Sequence, residues 1–564
     1  MILKIIRNRN NVNFNKNNDF LKFIKSQLLN LIFINKDNSK LEKKIIPMLF
    51  FEYLLGGIYM RDMYRKMHLA NIVGKYVKGD MKRRDFMKNA GLLGLGAGCL
   101  GTMGSMSRKF IPQAHAGSHI EWSGEMMDWL RDVSSPFKGQ TVSLATESTP
   151  PSNAINSTLK PFFEEVTGIK VNIEVLPLEQ VLQKLTLDVA SGLGTYDTYY
   201  LDQSWMAAFR GDAEDPRELY AAKPDLAMPG YNFDDFLGPL VDGISMYDGT
   251  MVGVPYDIPV FIMMYRDDVY KHLGLSVPKT FDQYMKNSQI IQAADLGFLN
   301  PDGRPIYGTN GQMKSGHYSL ECDWTMFAWA FGGSITNPDG SFAGNDANGL
   351  AGMDYWTKLK EYMPSGVTGW TWDGQGQDIL QGGSAQTISW GEFFPWWDSD
   401  ESAVQGKMMA AAVPAPASPL RATGDCGYGE IPGVAHQGGS SLAVSKYSKN
   451  KDAAWLFAQW ATSYETQVYI TALGGGTGPT RGSVYDDPRI KANNRSGNGT
   501  TRHLDVVRDA IFNDMGSEPD LPEWADMSSN MIPIELGRYW AGEHGSAKEC
   551  MDTIAKNFNK TVGV

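Results

Sequence analysis

Between positions 140 and 201 the chain alternates between strand-like segments and segments with the apolar spacing of a helix. The strand-like segments are 140–146, 170–175 and 196–201, and the helical ones are 157–166, which Gly168 should end, and 178–190. A strand–helix–strand–helix–strand order is typical of a doubly wound α/β sheet, whose ligands bind beyond the carboxyl ends of the strands. This segment therefore predicts an α/β fold with a binding site at one edge of the sheet.

Polar and aromatic residues follow two of these predicted strands directly. The first strand runs into Glu147 and Thr149, and the third runs into Asp202 and Trp205. Because the carboxyl ends of parallel strands meet at one sheet edge, these side chains are candidates for ligand contact.

The segment that begins at Met81 has the composition of an export signal. Arg83 and Arg84 are followed by an aromatic residue and a lysine, and this arrangement resembles the twin-arginine motif. Residues 90–106 are too weakly apolar for a membrane span, which needs about 20 strongly apolar residues, but they suit the apolar region of a signal peptide. Small residues at 114 and 116 predict cleavage before Gly117, so 81–116 is interpreted as a twin-arginine signal peptide.

Residues 1–80 differ from the rest, since they are rich in Asn and Lys and their apolar patches are short. A targeting signal normally begins a chain, so we expect 1–80 to be a non-native or disordered leader. Cys99 lies inside the signal but lacks a leucine three positions upstream, and lipid anchoring there is not expected.

The length and the net charge of the chain bear on the number of domains and on the class of ligand. The chain after position 116 is long enough for two ordinary domains. The formal net charge of −11 includes the basic leader and signal, so the exported part is more acidic still, which argues against nucleic-acid binding.

The remaining cysteines and the histidines give little support to a metal or cofactor site. Cys322, Cys426 and Cys550 are widely spaced, so at most one disulfide is expected, and the 8 His of the chain form no H-E-x-x-H motif. Tryptophan is abundant, with 15 residues, many beside Gly, Asp or Tyr. Indoles near polar turns suit stacking on sugar rings, whose C–H faces are apolar.

Three later segments carry a specific resemblance. They are a pair of strands at 249–267, a strand and helix at 438–460 that reads GGSSLAVSKYSKNKDAAWLFAQW, and a Gly-rich turn ending in Pro-Thr-Arg at 474–481. This set resembles bacterial extracellular solute-binding proteins of the sugar-binding family 1, the maltose-binding type. One departure is Ser440, which stands where many members carry an aromatic residue after the Gly-Gly pair.

The resemblance implies an α/β, two-lobe periplasmic-binding fold of type II, with a doubly wound sheet in each lobe and crossovers at a hinge. It predicts an N-terminal helical tether at 117–138, a first lobe from 139–254 and 434–480, and a second lobe from 255–433 and 481–564. Trp455, Phe457 and Trp460 are expected in the core.

The strongest local binding signal is a strand end at Trp390 and Glu392. An indole can stack on a sugar ring, while a carboxylate accepts hydrogen bonds from hydroxyls. Trp396 and Trp397 fit the core side of a helix equally well, and Asp323 with Trp324 is a weaker candidate because its surroundings are apolar. The resemblance adds further ligand-binding candidates: Glu147, Thr149, Asp202, Trp205, Tyr256, Asp257, Gly439, Ser440, Thr477 and Arg481.

The implied function is that of a monomeric periplasmic component of an ABC importer, which binds a sugar, oligosaccharide or polyol and delivers it to the membrane permease subunits without a cofactor or catalysis. One alternative is a polyamine or another cation, because acidic residues lie beside aromatic ones. The other is an exported glycan-degrading enzyme, for which Glu147, Glu321, Asp323 and Glu392 are carboxylates of the required type.

Overall fold

The computed structural model describes residues 122–415, 434–472, 478–495 and 500–564. The predicted leader and signal, Cys426 and Thr477 lie outside these residues. The strands are β1 Thr141–Glu147, β2 Lys170–Leu176, β3 Thr198–Asp202, β4 Met246–Tyr247, β5 Thr250–Met251, β6 Val254–Asp257, β7 Phe261–Arg266, β8 Gln386–Trp390, β9 Met408–Ala411 and β10 Ser440–Val444.

The α-helices follow the same chain order. They are α1 Gly124–Val133, α2 Pro150–Ala154, α3 Lys160–Thr167, α4 Leu178–Ser191, α5 Met206–Phe209, α6 Pro216–Ala222, α7 Gly238–Ile244, α8 Asp267–Leu273, α9 Phe281–Ala293, α10 Tyr318–Ala330, α11 Ala347–Leu359, α12 Trp372–Leu380, α13 Phe394–Trp397, α14 Lys451–Ala461, α15 Tyr464–Ala472, α16 Gly482–Tyr485, α17 Pro488–Ala492, α18 Leu504–Asn513, α19 Trp524–Asp526, α20 Ile532–Trp540 and α21 Ala547–Val562.

The first sheet has the strand order β2-β1-β3-β10-β6. Strand β1 runs parallel to both β2 and β3, which confirms the strand–helix alternation predicted from 140–201. Gly168 ends α3 with a positive φ of 70°, a conformation that glycine adopts without a steric penalty. Every residue of β3 is buried, as expected for a central strand covered on both faces.

Strand β10 enters this sheet from far along the chain and runs antiparallel to β3 and β6. Ser440 lies opposite Asp202 on one side and Asp257 on the other. The register therefore brings three predicted site residues together at one end of the sheet.

The second sheet corrects one expectation. It has the order β8-β7-β9, and both neighbours of β7 run antiparallel to it. The resemblance predicts a doubly wound sheet in each lobe, but in the described residues only the first sheet has that pattern. The reason is that β8 and β9 arrive from distant segments rather than through a strand–helix–strand crossover, which is what produces parallel pairing.

Two chain segments connect the sheets and pair with each other. Val260 bridges Gln437, the Phe261 N–H donates to the His436 carbonyl (2.9 Å), and the Gly438 N–H donates to the Pro259 carbonyl (2.8 Å). We call 258–260 and 434–438 the hinge segments. The first lobe is the first sheet with its helices, and the second lobe is the second sheet with its helices.

The observed packing places two of the crossings between lobes later in the chain than the predicted limits at 254 and 480. Strand β6 belongs to the first sheet, so the crossing follows Asp257. Helices α16 and α17 contact α15 in the first lobe, whereas α18 contacts β7 in the second. The last crossing therefore lies between α17 and α18.

Several large aromatic residues are core residues, as the sequence predicted. Trp455, Phe457 and Trp460 are at most 1% exposed. Trp397 is fully buried, and its indole N–H donates to the Gly376 carbonyl (2.8 Å). Trp324 stacks on Phe342 with ring centroids 5.8 Å apart, which explains why it is not free to contact a ligand.

Cys322 and Cys550 are both buried free thiols. None of the helices within the described ranges combines the length and the hydropathy that a membrane span requires.

Candidate functional site

A cleft lies where the carboxyl ends of the first sheet face the second lobe. The first lobe contributes Glu147, Ser148, Thr149, Pro150, Leu178 and Asp202; the second contributes Tyr318, Trp372, Asp373, Trp390, Glu392 and Phe393. Pro259 and Gly438, from the hinge segments, complete the lining. A ligand in this position contacts both lobes at once.

Five of the predicted site residues line this cleft: Glu147, Thr149, Asp202, Trp390 and Glu392. They come from three separate stretches of sequence and meet because β1 and β3 end at the same sheet edge while β8 ends opposite them. The residues that follow each strand are thus brought together by the packing of the two lobes.

Four further predicted residues are buried beside the cleft lining: Tyr256, Asp257 and Ser440 lie in the first sheet, and Gly439 directly precedes β10. The Tyr256 ring makes an edge contact with Tyr200 (6.3 Å between centroids), and the Tyr200 hydroxyl donates to Glu147 (3.1 Å). Tyr256 therefore supports a cleft residue indirectly.

The structure places Trp205 and Arg481 outside the cleft lining. Trp205 is 1% exposed and packs near Phe209. The Arg481 guanidinium donates to the carbonyls of Thr462 and Asn232, both at 2.7 Å. These bonds hold Arg481 inside the first lobe, where it stabilises packing instead of reaching the ligand.

The Arg481 environment also includes aromatic rings. Its guanidinium carbon lies 3.9 Å from the centroid of Phe236 and 4.7 Å from that of Tyr231. Such cation–π contacts are favourable when they are buried. The Pro-Thr-Arg motif alone cannot show that the Arg481 side chain packs inside the first lobe, because Tyr231 and Phe236 lie far earlier in the sequence.

Trp390 is only 4% exposed, so most of its indole is packed. Its ring lies against Phe261 (4.3 Å between centroids), and its N–H donates to Gln312 (3.2 Å). A side chain at Gly438 would meet the ring at 3.1 Å, which explains the need for glycine there. Trp390 thus joins the hinge to the cleft.

The carboxylates of the cleft strongly affect one another. Burial, followed by the charge of Asp202, raises the pKa of Glu147 well above its ordinary value. Burial, then the charges of Asp257 and Glu147, raises the pKa of Glu392. Burial raises the pKa of Asp202 to about 7. Ionisation of these three carboxyl groups is therefore costly in the ligand-free cleft.

Trp372, Asp373 and Tyr318 are lining residues that the sequence does not single out. For the first two, the sequence carries only a general signal, a tryptophan beside Asp and Gly, which also fits many core positions. Tyr318 has no distinguishing signal, because it lies at the start of the apolar helix α10.

A buried hydrogen-bond network lies next to the cleft. Glu518 accepts bonds from the Tyr318 hydroxyl (3.0 Å), the His436 ring (2.9 Å) and the Trp524 indole (2.7 Å), and from Gln203 of the first lobe. Burial alone would raise the pKa of Glu518, but the hydrogen bond from His436 holds it below its ordinary value. This network ties both lobes to the hinge segment 434–438.

Part of this network has the composition of a metal site. Glu321, Cys322 and His436 each offer a ligand atom, and these atoms lie within 4.8 Å of one another. However, Glu321 already bonds Thr325, and His436 bonds Glu518. The Glu321 Oε2 and the His436 Nδ1 are buried and have no hydrogen-bond partner within the described residues.

This chain is similar to known bacterial solute-binding proteins. A family model described as bacterial extracellular solute-binding protein matches residues 146–468. A probable amino-acid ABC transporter periplasmic-binding protein of Sinorhizobium fredii is 26% identical over 420 residues, which cover 73% of this chain and 84% of the relative.

Two solved structures show the same fold. A solute-binding protein of an ABC transporter from Agrobacterium radiobacter, in complex with ribitol, aligns with a TM-score of 0.64 and 23% identity, covering 75% of this chain and 99% of the other. A maltose-bound structure from T. maritima aligns with a TM-score of 0.63 and 22% identity, covering 75% and 100%. With two lobes, paired hinge segments and a family match over more than half its length, this chain belongs to the bacterial extracellular solute-binding proteins and has their type II periplasmic-binding fold.

Proposed function

We propose that this protein captures a sugar, oligosaccharide or polyol in the cleft between its lobes and delivers it to the permease of an ABC importer. The observation that carries the proposal is the cleft itself, which combines carboxylates from both lobes with Trp372 and Trp390. Carboxylates accept hydrogen bonds from hydroxyls, and indoles pack on the C–H faces of a carbon chain or ring. Ribitol and maltose, named for the two structural neighbours, belong to this chemical class.

Lobe closure provides the mechanism. A ligand that touches Glu147 or Asp202 in one lobe and Glu392 in the other binds the closed arrangement better than the open one, and so shifts the population to the closed form. The permease then binds the closed form of the protein. No covalent bond changes in this cycle, so no catalytic residue is required.

A ligand screen tests the binding proposal. Thermal denaturation with sugars and polyols should identify ligands that raise the midpoint, since binding to the native state alone stabilises it. Calorimetry on the hits then gives their affinity. A screen in which no sugar or polyol binds would contradict the proposal.

Trp390→Ala should weaken binding of a confirmed ligand by about 2 kcal/mol or more, as aromatic truncations at binding hot spots often do. Because Trp390 also packs on Phe261, its folding must be checked by circular dichroism. Trp396→Ala is the matched control, since Trp396 is half-buried but does not line the cleft. Equal affinity for Trp390→Ala and the wild type would remove Trp390 from the site.

The enzyme alternative makes a separate prediction. A glycan-degrading enzyme releases product from oligosaccharides on long incubation and loses this activity in Glu392→Gln. We expect the substrate to remain unchanged with both proteins. Product release by the wild type alone would overturn the transport proposal.

Export by the twin-arginine pathway, as a monomer without a lipid at Cys99, is also part of the proposal. The support is the Arg83-Arg84 pair and the small residues before Gly117. Replacing both arginines by lysine should retain the protein in the cytoplasm, and the exported wild type should begin near Gly117. Light scattering of the exported protein should give the mass of one chain.

A further inference from the structure

The cleft has an unusual charge balance. Four carboxylates line it, Glu147, Asp202, Asp373 and Glu392, and none of the described lining residues is Lys, Arg or His. Asp257 is fully buried beside them in β6, opposite Ser440. A neutral sugar needs hydrogen-bond acceptors, but it does not need four carboxyl groups in a lining without a basic residue.

Two basic residues, His317 and Lys314, act on Asp373 from outside the cleft lining. The ring Nε2 of His317 lies 2.9 Å from Glu179, so it already has an acidic partner. Lys314 is an exposed residue. The lining itself therefore contains no cation within the described residues.

The four carboxylates differ in what they already bind. Asp202 accepts bonds from the backbone (2.9 Å) and hydroxyl (2.5 Å) of Ser204, and Glu147 accepts one from Tyr200 (3.1 Å). Glu392 is different, because its Oε2 is buried and has no partner within the described part of the chain. A buried acceptor without a partner is costly unless something binds it.

These acids also raise one another's pKa values. Apart from burial, the pKa of Glu392 is raised by the charges of Asp257, Glu147 and Asp373, and that of Glu147 by Asp202 and Asp257. A positive charge among them would reverse this effect, because an opposite charge nearby favours the ionised form.

We propose that the ligand is a hydroxylated cation, an amino sugar or an amino-substituted polyol, whose ammonium group binds between Glu392 and the carboxylates of the first lobe. The hydroxylated part lies along Trp372 and Trp390, which also suit a cation through their ring faces. This inference rests on the proposed binding of hydroxylated solutes and adds the charge of the ligand. Its ammonium donates to acceptors from both lobes, so charge and closure are linked.

Matched ligand pairs test the inference by calorimetry on the exported protein. The pairs are glucamine with sorbitol and glucosamine with glucose, while N-acetylglucosamine keeps the ring but removes the charge. We expect the amines to bind at least about tenfold more tightly than their neutral partners, because charge-assisted hydrogen bonds are roughly twice as strong as neutral ones. Higher ionic strength should reduce this preference.

The outcomes separate this inference from the proposed function. Neutral sugars or polyols that bind as well as the amines overturn the inference and leave the proposed function standing. Spermidine that binds while every hydroxylated ligand fails overturns both the inference and the sugar or polyol proposal. Failure of all these ligands also counts against both.

Glu392→Gln tests the named carboxylate. The variant keeps the shape of the side chain but removes its charge, so the affinity for the amines should fall about tenfold more than the affinity for their neutral partners. Its thermal midpoint should be unchanged or higher, because a buried acid is removed. Glu535→Gln is the control, since Glu535 is a buried carboxylate of the second lobe that pairs with Arg538 and does not line the cleft. An unchanged amine preference in Glu392→Gln would overturn the inference.

Discussion

Asp202 both caps a turn and lines the proposed binding cleft. Its carboxylate caps the turn after β3 through the Ser204 N–H (2.9 Å) and also lines the cleft. The side chain is almost fully buried, and burial raises its pKa from 3.8 to about 7. The charged form is therefore less stable in the folded protein than in the unfolded one.

Asp202→Asn should change how stability depends on pH. With a raised pKa, the folded protein holds a proton that the unfolded chain has lost, so this residue makes unfolding easier as the pH rises from about 4 to about 7. The effect is about 1.4 kcal/mol per pKa unit. Asparagine keeps the oxygen that caps the turn but has no charge. The stability gained by the variant over the wild type should therefore be larger at pH 8 than at pH 4.

Urea denaturation of the ligand-free protein at pH 4, 6 and 8 measures this effect. Asp346→Asn is the control, because Asp346 also caps a helix, through the Gly349 N–H, but is exposed. If the stability of Asp202→Asn depended on pH in the same way as that of the wild type, burial of the Asp202 charge would not be the cause of that dependence.

At the scale of elements, close approach between loops positions the strands of the first sheet. Gly194 lies between α4 and β3 with a φ of +62°, and a Cβ atom there would clash with the Tyr447 carbonyl oxygen. Tyr447 follows β10, so this contact fixes the loop before β3 against the turn after β10. Glycine is required there for space as well as for conformation.

Gly194→Ala should destabilise the protein much more than Gly274→Ala. Gly274 has nearly the same φ, +65°, but a Cβ atom there would have nothing within 4 Å, so its substitution shows the backbone strain alone, about 1–2 kcal/mol. The clash at Gly194 should add about 1–3 kcal/mol. The midpoints of urea denaturation of the two variants measure this difference in stability. Equal midpoints would show that the Tyr447 backbone shifts to make room for the added Cβ atom.

For the whole molecule, the contact between Glu179 and His317 joins the lobes near the cleft. Glu179 lies on α4 of the first lobe, and His317 precedes α10 of the second. The His317 Nδ1 accepts the Ser319 N–H (3.2 Å), so the proton of the neutral ring is on Nε2, which donates to Glu179. This bond links the two lobes even when the ring is uncharged.

Glu179→Ala should therefore favour opening. Loss of one such partly exposed hydrogen bond should cost about 1 kcal/mol, or roughly a fivefold faster release of ligand. Stopped-flow dissociation measures the rate, and small-angle scattering should show a larger radius of gyration for the ligand-free variant. Glu165→Ala, an exposed site on α3, should match the wild type. An unchanged release rate would mean that the contact does not hold the lobes together.

Sequence periodicity predicted the alternation of strands and helices over 140–201, the glycine at the end of α3 and the residues that follow β1, β3 and β8. These features depend on local periodicity and on where each strand ends. Tertiary packing determines which of these candidates line the cleft. Arg481 is held inside the first lobe by carbonyls and rings far away in sequence, while Asp373 and Trp372 join the cleft lining. The second sheet is antiparallel for the same reason, since pairing between distant segments is set by long-range packing and leaves no local pattern.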